Sequence, residues 1–519
     1  EFPFFTFLFG DLHAHLMAIP FTILVIGISL SIVVGVRDKN GYKKSISHGQ
    51  GFAELGRLVI LGLAVGSLRL INTWDFPAYL LLACISVLLA EYFRNGGLSL
   101  MVIIKSGLKI LLVTGSGFLT FLPYHLAYET FFSSFESTTN QTVLWHFLLI
   151  HGLFIFVVGS FFLVDLRGYW SACWGKITGI LQSETTSSSL ANNSSRHRLN
   201  YKKFTSLALV VLLFGYLAIN YLSGVFGSTI PFVIVLLALV VVSASRHLWS
   251  DHYKDPRTIF VSILIGTALV IVIGVDIVRV EGDIDRMNSI FKFYLQVWVL
   301  LGIASAYLVW RQIYMHSIDQ VIPRYWRHIW VTVLVLLIAG TAIYPIFGTQ
   351  MRLRSRFEIL PMTLDGTAYM RSAVYSDPHG KIALAPDYEG IQWLLTNVSG
   401  SPVVLEGLTP NYRWGGRISV YTGLPTVIGW QWHQEQQRRG YSWAIGERAR
   451  DVDRIYRTSE MSEAIELLWE YGVEYIYIGQ LERLYYPRES LSKFRDTILP
   501  SIELVYENEG VEIYRIQPR

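Results

Sequence analysis

The chain has 519 residues, 52% of them hydrophobic and only 16% charged, and its mean hydropathy is +0.40. That balance excludes an ordinary soluble globule and indicates a polytopic membrane protein. The net charge of +4 divides into 24 basic and 17 acidic side chains over residues 1–347 and 19 and 22 over 348–519, so neither part has the basic excess of a nucleic-acid binder.

The chain opens at Glu1 without a methionine and, by the topology below, inside an outer loop, so at least one upstream span is expected; no signal peptide is readable. Apolar runs of the length a bilayer core requires, about 17–25 residues, lie near 14–36, 57–72, 76–92, 104–123, 142–165, 204–223, 229–245, 258–276, 291–310 and 328–347. Ten transmembrane helices are expected from them. The connections after the first, third, fifth, seventh and ninth runs hold 20 Lys and Arg, against 3 (Arg279, Arg286 and Lys292) on the other side. Basic loops stay cytoplasmic, so residues 1–13 and the tail after 347 are expected outside. A missed or invented span would put every later loop on the wrong side.

The Ser/Thr/Asn-rich run 181–203 reads as a cytoplasmic polar linker between two sets of five spans. Residues 348–519 change character. β-type runs "PVVLEGL", "TVIGW" and "VEYIYIG" alternate with helical patterns such as "MSEAIELLWEYG", and "IELVYENEGVEIYRI" reads as a hairpin turning at 507–510. The chain therefore divides into a transmembrane domain, 1–347, and a C-terminal extracytoplasmic α/β domain, 348–519. Cys84 in a span and Cys173 in a cytoplasmic loop cannot meet, so no disulfide is expected between them.

Ionisable groups gather on the outer side, where nine carboxylates lie in the loops and span ends of residues 1–347. Charges at span ends are costly unless they face one another or a wet cavity, so a site is expected there. The run "FLFGDLHAHLMAIPF" sets Asp11, His13 and His15 before the first span. A D-x-H-x-H pattern can bind a metal if the segment is not helical; its bland reading is a helix cap, with Asp11 at the N-cap. Asp75 in "INTWDFP" reads either as the N-cap of the third span, with Pro77 in its first turn, or as a site residue. Arg286 and Lys292, flanking "MNSIF", and Arg69 at the end of the second span are cations that topology does not require. A lipid phosphate would account for them. In the tail, 411–440 concentrates Tyr412, Trp414, Trp430, Trp432, His433 and Gln434, the aromatic faces and amide donors of a carbohydrate site or the packing of a Trp-rich loop. Phosphate-loop, dinucleotide, C-x-x-C and G-x-S-x-G patterns are absent, so no nucleotide cofactor is expected.

The motifs "EFPFFTFLFGDLHAH", "INTWDFPAY", "RMNSIFKFYLQVW", "GLPTVIGWQWHQEQQRRG" and "YGVEYIYIGQLERLYYP" together resemble the YYY family of uncharacterised multipass membrane proteins, which lies near the GT-C glycosyltransferases. The likeness runs over nearly the whole chain, with Ala14 standing where the family pattern has Pro. The GT-C resemblance implies an enzyme that takes a sugar from a polyprenyl-phosphate carrier, with an acid in its first outer loop; Asp11 matches that acid in position. On this reading Asp11 is the base, or Asp11, His13 and His15 hold a divalent ion (Mn or Mg). Arg69, Asp75, Arg286 and Lys292 bind the lipid-linked donor, and Trp430, His433 and Gln434 select an unidentified acceptor. Membrane lipids are partners and nucleic acid is not. The alternatives are a metal-dependent membrane hydrolase built on Asp11, His13 and His15 with His125 or Asp75 as a further ligand, a transporter, and a non-catalytic assembly protein.

Overall fold

The computed structural model describes residues 2–10, 13–35, 48–128, 134–138, 140–166, 228–249, 255–281, 283, 285–314, 324–356, 362–438, 440–496 and 500–517. The chain divides into two compact units, Glu1–Arg352 and Leu353–Arg519. Among the described residues nine helices are long and apolar enough to cross a membrane. The run expected at 204–223, the linker 181–203, Asp11, Glu129 and Cys173 lie outside the described residues.

In the first unit the helices are α1 (Phe2–Phe9), α2 (Ala14–Val34), α3 (His48–Ile71), α4 (Phe76–Asn95), α5 (Leu100–Thr120) and α6 (Leu122–Ala127). They continue with α7 (Leu144–Asp165), α8 (Thr229–Trp249), α9 (Pro256–Val275), α10 (Met287–Tyr314) and α11 (Arg324–Ile343), while α12 (Thr349–Arg356) includes the boundary between the units. Local chemistry sets several ends. Ser99 caps α5 by accepting from the Val102 amide, and Asp255 caps α9 ahead of Pro256. Gly96 ends α4 in the left-handed conformation, at φ +78°.

The second spanning helix starts at His48 rather than near 57, taking Glu54 into its early turns. That charge is tolerable because Glu54 and Glu91 share Arg94 and Lys109 across α3, α4 and α5. Helices α3 and α5 approach closely at Gly62, Gly66 and Gly117. A Cβ on Gly66 would lie 2.3 Å from the Gly117 carbonyl oxygen, so only glycine fits there. Val143 bridges Ser228 at the starts of α7 and α8, while Asp165 at the end of α7 accepts from Ser243 of α8. These two helices therefore run parallel.

Two short strands, β1 (Phe135–Ser137) and β2 (Val278–Val280), pair antiparallel with Glu136 opposite Arg279. They close the end of the bundle that carries the starts of α7 and α10, since Arg279 bonds both Glu136 and the Asp285 carbonyl.

The second unit contains a hairpin of β3 (Val374–Asp377) and β4 (Gly380–Ala383). Its main sheet runs β5 (Val403–Leu405), β6 (Val473–Ile478), β8 (Glu512–Ile516), β7 (Ile502–Glu507), with only the β5–β6 pair parallel. Central β6 is buried on both faces from Tyr475 to Ile478, as its unbroken apolar run requires. The terminal hairpin turns at Asn508, whose side chain accepts from the Gly510 and Val511 amides. "TVIGW" is not a strand. Val427 and Ile428 are both buried although adjacent, which an alternating strand with one face outward does not allow, and Pro425 and Gly429 bound the run. Helices α13 (Ala385–Asn397), α14 (Arg417–Thr422), α15 (Gln431–Gln437), α16 (Ser442–Arg457), α17 (Met461–Glu470), α18 (Gln480–Tyr485) and α19 (Arg488–Asp496) complete the unit.

Candidate functional site

Helix α1 ends at Gly10, in the left-handed region at φ +69°, and α2 begins after His13. His13 occupies the N-cap position in extended conformation and its side chain makes no cap bond, so the cap expected at Asp11 sits two residues later. His15 is in the first turn of α2 and buried. Its Nε2 is 3.0 Å from the Thr6 hydroxyl of α1, and its ring meets Phe291 of α10 edge-on at 4.8 Å. The His13 and His15 rings are 5.2 Å apart. Among the described residues no three His, Cys, Asp or Glu side chains are grouped to hold a metal ion. With one His15 nitrogen taken by Thr6, these two histidines do not by themselves form a metal site.

The start of α10 supplies the cations. Asp283 caps it by accepting from the Asn288 and Ser289 amides. Arg286, just ahead of the helix, is buried and bonds Asp276 at 2.6 Å; Asp276 also accepts from the Thr142 hydroxyl at 2.6 Å. Arg286 thus has a carboxylate of its own, and an external anion is not needed to explain it. Lys292 lies with Nζ 4.9 Å from the centroid of the Trp74 ring.

Trp74 and Asp75 form the turn into α4. The Trp74 carbonyl accepts from Gln296 of α10 at 3.0 Å, and its ring packs edge-on to Phe293. Asp75 is the N-cap residue of α4, yet its side chain makes no cap bond and is only 3% exposed. Burial pushes its carboxyl up to about 7, against the opposing pull of the Asn72 and Gln296 amides. Gln296 Oε1, an acceptor, is buried without a hydrogen-bond partner, and a protonated carboxyl nearby can supply the donor it lacks. Asp75 is thus buried beside Asn72 and Gln296 rather than presenting an open surface to a substrate. Arg69 lies over Phe76 at 5.9 Å and lines a crevice between α3, α4 and α5.

In the second unit the aromatic loop is held from beneath by a buried ionic cluster. Arg417, 2% exposed, bonds Asp387 through Nε at 2.8 Å and Glu482 through a terminal nitrogen at 2.8 Å. Asp387 also accepts from Trp414 Nε1 and Tyr477 Oη. Burial opposes the charge on Arg417, but the two carboxylates outweigh it and hold the guanidinium firmly protonated. On this base Trp430 donates to the Gly415 carbonyl, and Tyr412, at φ +59°, reaches His433 Nδ1 at 3.0 Å. Tyr412 and Trp432 stay about half exposed beside Trp430 and His433, forming an aromatic shelf; Gln434 is half-buried in α15. The left-handed backbone of a non-glycine residue is a strained feature of the kind found at binding sites.

Sequence reasoning missed Asp276 and Thr142 as partners of Arg286, and Gln296 as the support of the Trp74 turn. A glutamine inside the apolar run "FYLQVWVLL" was the available signal for the last.

No curated protein matches the chain. Among solved structures it is similar to the archaeal oligosaccharyltransferase AglB from Archaeoglobus fulgidus, solved in complex with an inhibitory peptide and a dolichol-phosphate. The identity is 12% and the TM-score 0.32, over 91% of this chain and 52% of that one, so the chain spans about half the length of that protein. Residues 1–301, more than half of the chain, match the family described as Uncharacterized membrane protein (DUF2298), and this range holds the motifs "FGDLHAH", "INTWDFPAY" and "RMNSIFKFYLQVW". The chain is a member of that uncharacterised membrane protein family.

Proposed function

We propose that the protein is a membrane glycosyltransferase that moves a sugar from a polyprenyl-phosphate-linked donor to an acceptor hydroxyl at the extracytoplasmic face. One observation carries the reading: His15, from the motif that holds Asp11, packs at 4.8 Å on Phe291, the sequence neighbour of Lys292. The acidic motif and the cationic start of α10 thereby share one end of the bundle. The loop-charge asymmetry favours this end as the outer one, where a donor has to be carried by lipid because no nucleotide-sugar pool exists.

In this scheme Asp11 accepts the proton of the acceptor hydroxyl as that oxygen attacks the anomeric carbon. The bond from the anomeric carbon to the phosphate oxygen breaks, and its electron pair leaves on the phosphate. Lys292 takes that phosphate, with the Arg286–Asp276 pair as fixed support behind it. Separately, Trp430, His433 and Gln434, with Tyr412 and Trp432, form a carbohydrate-binding surface of the second unit, ring faces stacking on apolar sugar faces. No step is routed through a metal ion; Mn²⁺ or Mg²⁺ enters as a variable of the assay.

The test gives purified full-length protein a panel of radiolabelled polyprenyl-phosphate sugars, with and without Mn²⁺ or Mg²⁺, beside the Asp11→Asn variant. Turnover of one donor that falls by about 100-fold or more in the variant is the expected result. Full activity of Asp11→Asn removes Asp11 from the mechanism, and no turnover of any donor by folded protein overturns the function.

A further inference from the structure

A crevice of about 290 Å³ opens between α3, α4 and α5, lined mainly by Val65, Phe76, Leu80, Leu111, Gly115 and Phe118. The backbone approach at Gly66 and Gly117 closes it behind. Its mouth lies on the exterior of the bundle, where Leu111, Leu119 and Leu126 are all more than 60% exposed. On helices that span a membrane such a face meets hydrocarbon, so whatever enters the crevice comes from the bilayer.

One end of the crevice is polar. Arg69, in the last turn of α3, lines it and makes no ion pair among the described residues. His125 of α6 lines it too, its ring stacked on Phe118 at 4.4 Å and its Nδ1 buried without a hydrogen-bond partner. A cation and an unused imidazole nitrogen at the end of an apolar slot match a lipid with a phosphate at its head. The slot is at the small end of ligand sites, enough for part of one chain. An exterior mouth leaves a second chain in the bilayer, which favours an ordinary two-chain lipid over a single-chain carrier.

We propose that the α3–α4–α5 crevice binds an anionic glycerophospholipid, part of one acyl chain in the slot and the phosphate on Arg69 with His125 beside it. The site is independent of the proposed transfer reaction.

The test is lipid retention by full-length protein, delipidated in detergent and titrated with phosphatidylglycerol, phosphatidylcholine or a polyprenyl phosphate, read by native mass spectrometry. Two variants separate charge from shape. Arg69→Gln removes the cation, and Gly115→Leu fills the slot at a position where an added Cβ meets nothing within 4 Å. Wild type is expected to retain one phosphatidylglycerol more firmly than phosphatidylcholine, with each variant weakening it by about tenfold. Helical circular dichroism confirms that both variants are folded. Equal retention by wild type and variants, or equal retention of the two phospholipids, overturns the proposal. Displacement of phosphatidylglycerol by equimolar polyprenyl phosphate also overturns it and assigns the crevice to a single-chain carrier.

Discussion

Asp75 makes the structure testable through pH. The residue is 3% exposed, and burial raises its carboxyl from an ordinary 3.8 to about 7. Below pH 3.8 folded and unfolded chains are both protonated there, so the residue is neutral for stability. Between 3.8 and about 7 the unfolded chain ionises while the folded one holds its proton, and stability falls as pH rises. Above 7 the loss levels off at about 4 kcal/mol, from roughly 1.4 kcal/mol for each pH unit of the window. Asp75→Asn keeps the shape and the amide contacts and removes the ionisation. The variant is expected to melt a few °C above wild type at pH 8, with the gap narrowing to less than half by pH 5. Thermal unfolding of the purified protein in detergent, followed by tryptophan fluorescence across pH 5–8, measures it. A variant that tracks wild type in parallel over that range, or melts below it at pH 8, refutes the buried, proton-holding Asp75.

Two further outcomes probe the ionic clusters. Asp276→Asn strands Arg286 in a buried setting and is expected to destabilise the first unit by about 3–5 kcal/mol, whereas Asp276→Leu with Arg286→Met recovers most of the loss; melting curves of the two variants beside wild type decide it. Arg417→Met leaves Asp387 and Glu482 buried without their cation and is expected to cost a similar 3–5 kcal/mol. The near-ultraviolet signal of the Trp414 and Trp430 loop should fade with it, and an unchanged signal would separate the aromatic shelf from the cluster beneath.

The spans were legible because hydrocarbon thickness and helix rise leave little freedom in the length of an apolar run. Every expected run within the described residues has its helix. What failed were starts and partners. Helix α3 extends back over Glu54 because cations on two other helices neutralise it, and no local pattern at 48–56 carries that information. Asp276 and Arg286 were visible as separate charges, but their pairing depends on β2 turning the chain back on itself. "TVIGW" has strand composition yet packs both Val427 and Ile428 inward, a tertiary demand that propensity does not register. The carrier of the proposed chemistry, "GDLHAH", was legible as a cluster of ionisable residues; the seating of His15 on Phe291 needed α10 in place.

The same pairing logic shows which cations are already committed to carboxylates. At the end of the bundle opposite Asp276, the carboxylates Glu54, Glu91, Asp165 and Asp255 each meet Arg94, Lys109, Arg246 or Arg311. Four of the 20 Lys and Arg counted in the basic loops therefore neutralise span-end acids. At the Asp276 end, Arg286 and Arg279 are likewise committed, to Asp276 and Glu136. The cations proposed to meet a phosphate are Lys292, the sequence neighbour of the Phe291 that seats His15, and Arg69 on the crevice. Their substitutions should have crossed effects. Lys292→Gln should raise the KM for a lipid-linked donor while leaving phosphatidylglycerol retention intact, and Arg69→Gln should release the phospholipid with little change in that KM. If both variants moved both readouts together, one shared lipid site would replace the two proposed, with Arg69 and Lys292 acting on the same phosphate.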